Sequence, residues 1–278
     1  MRLRLWHAPD GARVAYREAG TGPPLVLLHS LGLSHREFEP VVEHLDHRYR
    51  VILPDLPLHG DSEDRPRHPY TLDWFADVMS AFVREVCGVH PLVGGHGLGA
   101  EILLHAALTD RLTPEKLVLM PNRLHRPPAR PLARRGWRLS ARAAGIPGLD
   151  RVLSRAAHLA VRPDQGVRLS ARANPAAGDL VRHAFADVAG NANLARSWAR
   201  FAKDRPTTAN RSLLESYARL RMPVLLLWAD EDRFHPVASA EEALDLLPDA
   251  QLRILPATGF LLAYVDAVGV ARELAAFA

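Results

Sequence analysis

The chain has 278 residues, 48% of them hydrophobic, which suits one large α/β domain with an insertion and a sizeable buried core. Its formal charge is only +4, and its basic residues are almost all arginine, with Lys116 and Lys203 the only lysines; no helix-turn-helix, zinc-finger or aromatic-plus-basic signature is present, which argues against a nucleic-acid partner. No apolar run approaches the roughly 18 residues of a membrane span, the single cysteine, Cys87, cannot form an internal disulfide, and the sequence runs from Met1 straight into a strand pattern, so a cytoplasmic protein with no membrane partner is expected.

Arg2 to Trp6 and Arg13 to Glu18, joined by Asp10-Gly11, predict an antiparallel hairpin. Short continuous apolar runs follow at Leu25 to His29, Val51 to Asp55, Pro91 to Gly94, Leu117 to Met120, Val224 to Trp228 and Gln251 to Leu255. Runs of this kind suit strands buried on both faces of a parallel sheet. Between them, Glu37 to Leu45, Thr71 to Val86, Leu98 to Leu108, Ala238 to Leu247 and Val265 to Phe277 carry apolar residues at helical spacing. The alternation predicts an α/β fold, a doubly wound and mostly parallel sheet built from right-handed βαβ units.

The pattern breaks between about Arg123 and Arg221. That stretch is rich in Arg and Ala, is punctuated by Pro and Gly, and is too long for a loop. It predicts a helical lid, residues 123–221, inserted into a core of residues 1–122 and 222–278. Arg126, Arg130, Arg134, Arg138 and Arg142 recur every four residues. They form either a solvated face or a basic stripe for an acidic partner, such as a carrier protein or a carboxylate-bearing substrate. Trp137, Trp198, Phe185 and Phe201 read as lid core, or as a lid that also lines a pocket.

Five signals come in a fixed order. They are Leu27-Leu28-His29-Ser30-Leu31-Gly32, then Leu53-Pro54-Asp55-Leu56-Pro57-Leu58-His59-Gly60-Asp61-Ser62, then Gly95-His96-Gly97-Leu98-Gly99. Leu226-Leu227-Trp228-Ala229-Asp230-Glu231-Asp232 and Leu255-Pro256-Ala257-Thr258-Gly259-Phe260 complete the set. Their order and spacing resemble the α/β-hydrolase superfamily, which includes epoxide hydrolases, haloalkane dehalogenases and esterases, over essentially the whole chain. The resemblance implies a strained strand-to-helix turn, the nucleophile elbow, with small residues at Gly95 and Gly99.

At the centre of that turn the family has Ser, Cys or Asp, and this chain has Gly97. Where the family has its histidine this chain has Phe260, with no histidine within several residues. Only Asp232 stands at a matching triad position. Without a nucleophile and a base, the covalent acyl-enzyme route is closed. The resemblance still implies an oxyanion site formed by the backbone amides of Leu31 and Leu98, the latter opening a helix.

Several polar side chains are candidates around that site. Ser30, in place of the usual glycine after His29, either lines the pocket floor or caps its loop. His96 either packs under the elbow or takes part in catalysis; His59 belongs to the turn pattern, and Asp55 reads as a turn residue. Asp232 is either a desolvated acid–base group beside Phe260 or a carboxylate held by an arginine or by backbone amides. Asn122 either orients a substrate oxygen or closes a turn. No phosphate loop and no metal-spaced His/Cys cluster is seen, so no cofactor is expected.

The expected function is non-hydrolytic chemistry: a cyclase, lyase or isomerase acting on a small apolar carbonyl compound, in a setting such as secondary metabolism. A small-molecule binding protein without turnover is one alternative. A hydrolase with an atypical nucleophile is the other.

Overall fold

The computed structural model describes residues 1–63, 67–88, 90–126 and 211–278, together with scattered positions between 139 and 201. Eight strands form one sheet: β1 Arg2–His7, β2 Arg13–Ala19, β3 Pro24–Leu28, β4 Arg50–Pro54, β5 Leu92–Gly95, β6 Lys116–Leu119, β7 Val224–Ala229 and β8 Ala250–Leu255. Their order is β1-β2-β4-β3-β5-β6-β7-β8. β1 and β2 form the expected hairpin, β2 pairs antiparallel with β4, and every later pairing is parallel.

The helices among the described residues are α1 Glu39–Val42, α2 Leu72–Cys87, α3 Leu98–Leu108, α4 Arg211–Ser216, α5 Val237–Leu244, α6 Leu262–Val265 and α7 Ala267–Phe277. Thr71 caps α2, its Oγ1 accepting the Trp74 N–H at 3.1 Å, the pairing expected of an N-terminal threonine. The expected helix from Val265 to Phe277 is divided. Asp266 leaves the helical region at φ −124° and ψ 62°, and its carboxylate caps α7 by accepting the Gly269 N–H at 3.1 Å. The helix expected from Glu37 to Leu45 is only the four-residue α1, preceded by a 3-10 turn, His35–Glu37.

The continuous apolar runs of the central strands follow from cores on both faces of the sheet. Val26, Val93, Leu117 and Leu226 face α2 and α3, packing with Phe75, Phe82 and Leu103. Their chain neighbours Leu25, Leu92, Val118 and Leu225 face the other way, toward Phe38, Leu45, Val270 and Leu274. Adjacent residues of a strand point to opposite faces, so a strand buried on both sides has no polar positions. β8 departs from that expectation. It is an edge strand, and Gln251, Arg253 and Ile254 are exposed.

β6 and β7 are hydrogen-bonded neighbours, although about a hundred residues separate them in sequence. Most of the expected lid, including Arg130, Arg134, Trp137, Arg138 and Phe185, lies outside the described residues. Among the described residues no helix is long and apolar enough to cross a membrane.

Candidate functional site

Ser30 follows β3, Gly97 follows β5, Asp232 follows β7 and Phe260 follows β8. All four therefore gather at the carboxyl edge of the sheet, where doubly wound folds bind ligands.

The elbow is intact as backbone. Gly97 has φ 50° and ψ −115°, between the end of β5 and the first residue of α3. A Cβ on Gly95 would stand 2.5 Å from the Ala100 nitrogen, and one on Gly99 would overlap the Leu28 carbonyl. Both flanking glycines are therefore imposed by the close approach of backbones. The Gly97 N–H donates to Pro121 O at 3.0 Å, and Gly99 N–H to His96 O at 2.9 Å.

The space beside Gly97 is not empty. A Cβ on Gly97 would overlap the Ser30 hydroxyl oxygen and would lie 2.8 Å from Ser30 Cβ. The hydroxyl that fills this space comes from the loop after β3, and the glycine comes from the elbow. The Ser30 hydroxyl has no hydrogen-bond partner among the described residues, whereas its backbone N–H donates to Glu37 Oε2 at 2.8 Å. The other Glu37 oxygen pairs with His96 Nδ1, and both side chains are fully buried. Glu37 thus ties the loop after β3 to the elbow. His96 Nε2 is buried without a partner. The amides of Leu31 and Leu98 make no hydrogen bond among the described residues.

Of the two readings of Asp232, the carboxylate held by backbone amides is the one found, with a histidine and not an arginine as its side-chain partner. It is 6% exposed, and its Oδ1 accepts the backbone N–H groups of Phe234 at 2.7 Å and His235 at 3.2 Å. Its Oδ2 bonds His235 Nδ1 at 2.9 Å. His235 is itself anchored, its carbonyl accepting from Trp228 Nε1 at 2.9 Å. Its ring stacks on Phe260, with centroids 5.2 Å apart and planes 28° apart. On its other neighbour, Phe260 packs against His96 at 4.3 Å. The Phe260 ring therefore touches two imidazoles, each bonded to a carboxylate.

The remaining candidates have local duties. Asn122 is buried and closes its own turn: Nδ2 donates to Met120 O at 2.8 Å and Oδ1 accepts Leu124 N–H at 2.8 Å. His29 accepts the Leu56 N–H at Nε2, 2.9 Å, leaving Nδ1 to donate to Ser30 O at 2.8 Å. One neutral imidazole thus joins the loops after β3 and β4. Burial pushes the pKa of His29 down to about 3 and that of His59 to about 4. His59 Nε2 and Trp198 Nε1 are buried without partners, and the two rings meet edge to face at 5.1 Å.

Asp55 anchors the turn that the sequence assigned to it. Its carboxylate accepts from His35 N and Nδ1 and from Asp61 N, and Ser62 Oγ donates to its carbonyl at 2.6 Å. Burial opposes its charge, but the bond from His35 and the positive charge nearby outweigh that and hold its pKa below the ordinary value. Arg126 of the arginine series is engaged by Glu242; Arg142 is exposed. Among the described residues there is no group of three or more His, Cys, Asp or Glu able to hold a metal ion.

Two site residues, His235 and Glu37, are not marked by the family pattern. A signal for the first was present: Asp232 and His235 are three residues apart in a turn closed by Pro236. Glu37 carries no comparable signal, because its partners His96 and Ser30 are brought to it only by the fold.

A sequence profile of the alpha/beta hydrolase fold family matches residues 23–267, and the chain belongs to that family. Among its relatives, the magnesium-chelatase 30 kDa subunit of Rhodobacter capsulatus is 39% identical over 87 residues, 31% of each chain. The pimeloyl-[acyl-carrier protein] methyl ester esterase of Aeromonas hydrophila is 38% identical over 104 residues, 37% of this chain and 38% of that one. These matches span roughly a third of each relative's length. An alpha/beta hydrolase fold protein from Burkholderia ambifaria superposes with a TM-score of 0.78 at 23% identity, covering 98% of this chain and 96% of that one. A thermophilic esterase from Thermogutta terrifontis gives 0.76 at 21% identity, covering 99% and 97%. At such identities the likeness is one of fold.

Proposed function

We propose that this chain is a non-hydrolytic member of its family, a cofactor-independent cyclase, lyase or isomerase acting on a small apolar carbonyl compound. The observation that carries the reading is the exchange at residues 30 and 97. The space of a nucleophile's Cβ is filled by the Ser30 hydroxyl, and Phe260 occupies the position of the base. The backbone donors are kept, with Leu31 and Leu98 amides uncommitted and the second at the start of α3. Such donors stabilise a carbonyl, enolate or carboxylate without a covalent bond. The unpartnered His59 Nε2 and Trp198 Nε1 suit the polar ends of a bound molecule, since buried polar groups ordinarily find partners. Orientation of a flexible substrate supplies the remaining acceleration.

A fluorophosphonate probe tests this reading on the full chain. No serine adduct is expected; an adduct at Ser30 or any other serine overturns the reading. Hydrolysis by a directly activated water is the second reading, favoured by the names of relatives such as the Aeromonas esterase. It would show as steady turnover of p-nitrophenyl acetate without a burst. The same relative's name favours an acidic carrier protein as partner, met at the arginine-rich segment that includes exposed Arg142. A cytoplasmic location accords with this reading.

A further inference from the structure

The geometry points to His235 as the proton-transfer group of this site, with Asp232 as its orienting acid. The inference rests on the non-covalent reading above and supplies the base that reading lacks. In the serine triad, the acid holds the imidazole through Nδ1 so that Nε2 carries the reactive lone pair. The bond from His235 Nδ1 to Asp232 Oδ2, 2.9 Å, reproduces that atom for atom. What differs is the segment supplying the histidine: it comes from the acid's own loop, after β7, instead of the loop after β8.

Three contacts fix the ring. Asp232 holds Nδ1, Trp228 Nε1 holds the backbone carbonyl at 2.9 Å, and Phe260 covers one face with planes 28° apart. A base fixed in this way loses little freedom on reaction. Nε2 has no partner among the described residues, and the side chain is 13% exposed, enough to receive a proton. Successive ring contacts of 5.2 and 4.3 Å run from His235 through Phe260 to His96, beside the elbow. His235 is thus two ring contacts from His96, the residue before Gly97.

The step assigned to it is proton abstraction next to a carbonyl. The C–H bond breaks, the proton goes to Nε2, and the electron pair becomes an enolate whose oxygen is held by the Leu31 and Leu98 amides. The imidazolium, steadied by Asp232, returns the proton to another carbon, or the enolate expels a leaving group with its electron pair and the imidazolium gives that group its proton. Neither outcome needs an oxidant or reductant.

The test uses 2-bromoacetophenone, an aryl ketone that alkylates a neutral imidazole. The N–C bond forms as the C–Br bond breaks, and bromide leaves. On the full chain at pH 7, peptide mapping is expected to place one adduct on His235, forming at least tenfold faster than on exposed His7, His44 or His47. Asp232→Asn slows this alkylation about tenfold with the circular dichroism spectrum unchanged, and His235→Gln removes the adduct without moving it elsewhere. Labelling at His235 no faster than at the exposed histidines overturns the inference, as does a rate indifferent to Asp232→Asn in the folded variant. Either failure leaves the fluorophosphonate result standing, whereas a serine adduct in that experiment overturns the underlying reading.

Discussion

Ser30 and Gly97 share one volume: the hydroxyl oxygen of the first occupies the space that a side chain on the second would need. A side chain at residue 97 and the Ser30 hydroxyl cannot both fit in that space.

This packing makes the two positions interdependent. Gly97→Ala introduces a Cβ that must overlap the Ser30 hydroxyl at a residue whose φ is 50°. Overpacking typically costs about 1–3 kcal/mol, and the positive φ adds roughly 1 kcal/mol. In the double variant Ser30→Gly/Gly97→Ala the overlap is gone and only the backbone cost remains. Urea unfolding of the two single variants and the double should show a favourable coupling above about 1 kcal/mol. Additive costs would mean that the two residues do not compete for space.

The same contact governs any attempt to rebuild a hydrolase. Gly97→Ser with Phe260→His is expected to give no esterase activity, because Ser30 obstructs the new serine and Asp232 is already held by His235. Adding Ser30→Gly and His235→Val frees both positions. Hydrolysis of p-nitrophenyl acetate, with a burst of about one equivalent, is expected only from the fourfold variant. A burst from the twofold variant would show that neither obstacle matters.

The fold was legible in the sequence because its signals are local and repeated. Each central strand is buried on both faces, so Leu25 to Leu28 and Val224 to Trp228 are apolar without interruption. The turn from Asp55 to Ser62 announces itself by residues that bond within it. The site was legible only where the backbone demands a residue type, as at Gly95 and Gly99. Glu37 and His96 are 59 residues apart, and no spacing rule joins them. His235 is not legible from the family pattern, which points to a base near Phe260, whereas an imidazole needs only to reach the acid.

Asn122 tests whether a buried polar residue at the sheet edge serves the ligand or the turn. Both ends of its amide are engaged within its own turn. Asn122→Ala leaves the Leu124 N–H and Met120 carbonyl without those partners and should cost about 1–3 kcal/mol of stability. The rate of His235 alkylation should be unchanged. A variant with full stability and altered alkylation would reverse that assignment.

Cys87 follows from burial alone. Desolvation pushes its thiol up to about 12, so the thiolate that reacts with electrophiles is scarce at ordinary pH. Iodoacetamide at pH 8 should modify the folded protein at least tenfold more slowly than the urea-unfolded chain, as followed by intact mass. Equal rates would place the thiol in water.

Acid should weaken the fold earlier than carboxylate titration would suggest. His29 and His59 have folded-state pKa values pushed down by burial from 6.5 to about 3 and about 4. The unfolded chain takes up protons at these residues below about pH 6.5, while the folded protein does not until pH 3–4. Stability is therefore fully present above that upper value and is lost as the pH falls through the window between, by up to about 1.4 kcal/mol per pH unit per group. Asp55, whose folded pKa lies below the ordinary 3.8, adds a loss in the same direction at still lower pH. Thermal midpoints measured from pH 8 to pH 4 should be level above pH 7 and fall steadily below pH 6. His59→Phe removes one titrating group while keeping a ring against His29 and Trp198. Its curve should start lower, since the bond to Pro57 O is lost, but descend less steeply. A parallel curve would show that His59 takes up its proton in the folded state, by a water or a ligand reaching Nε2.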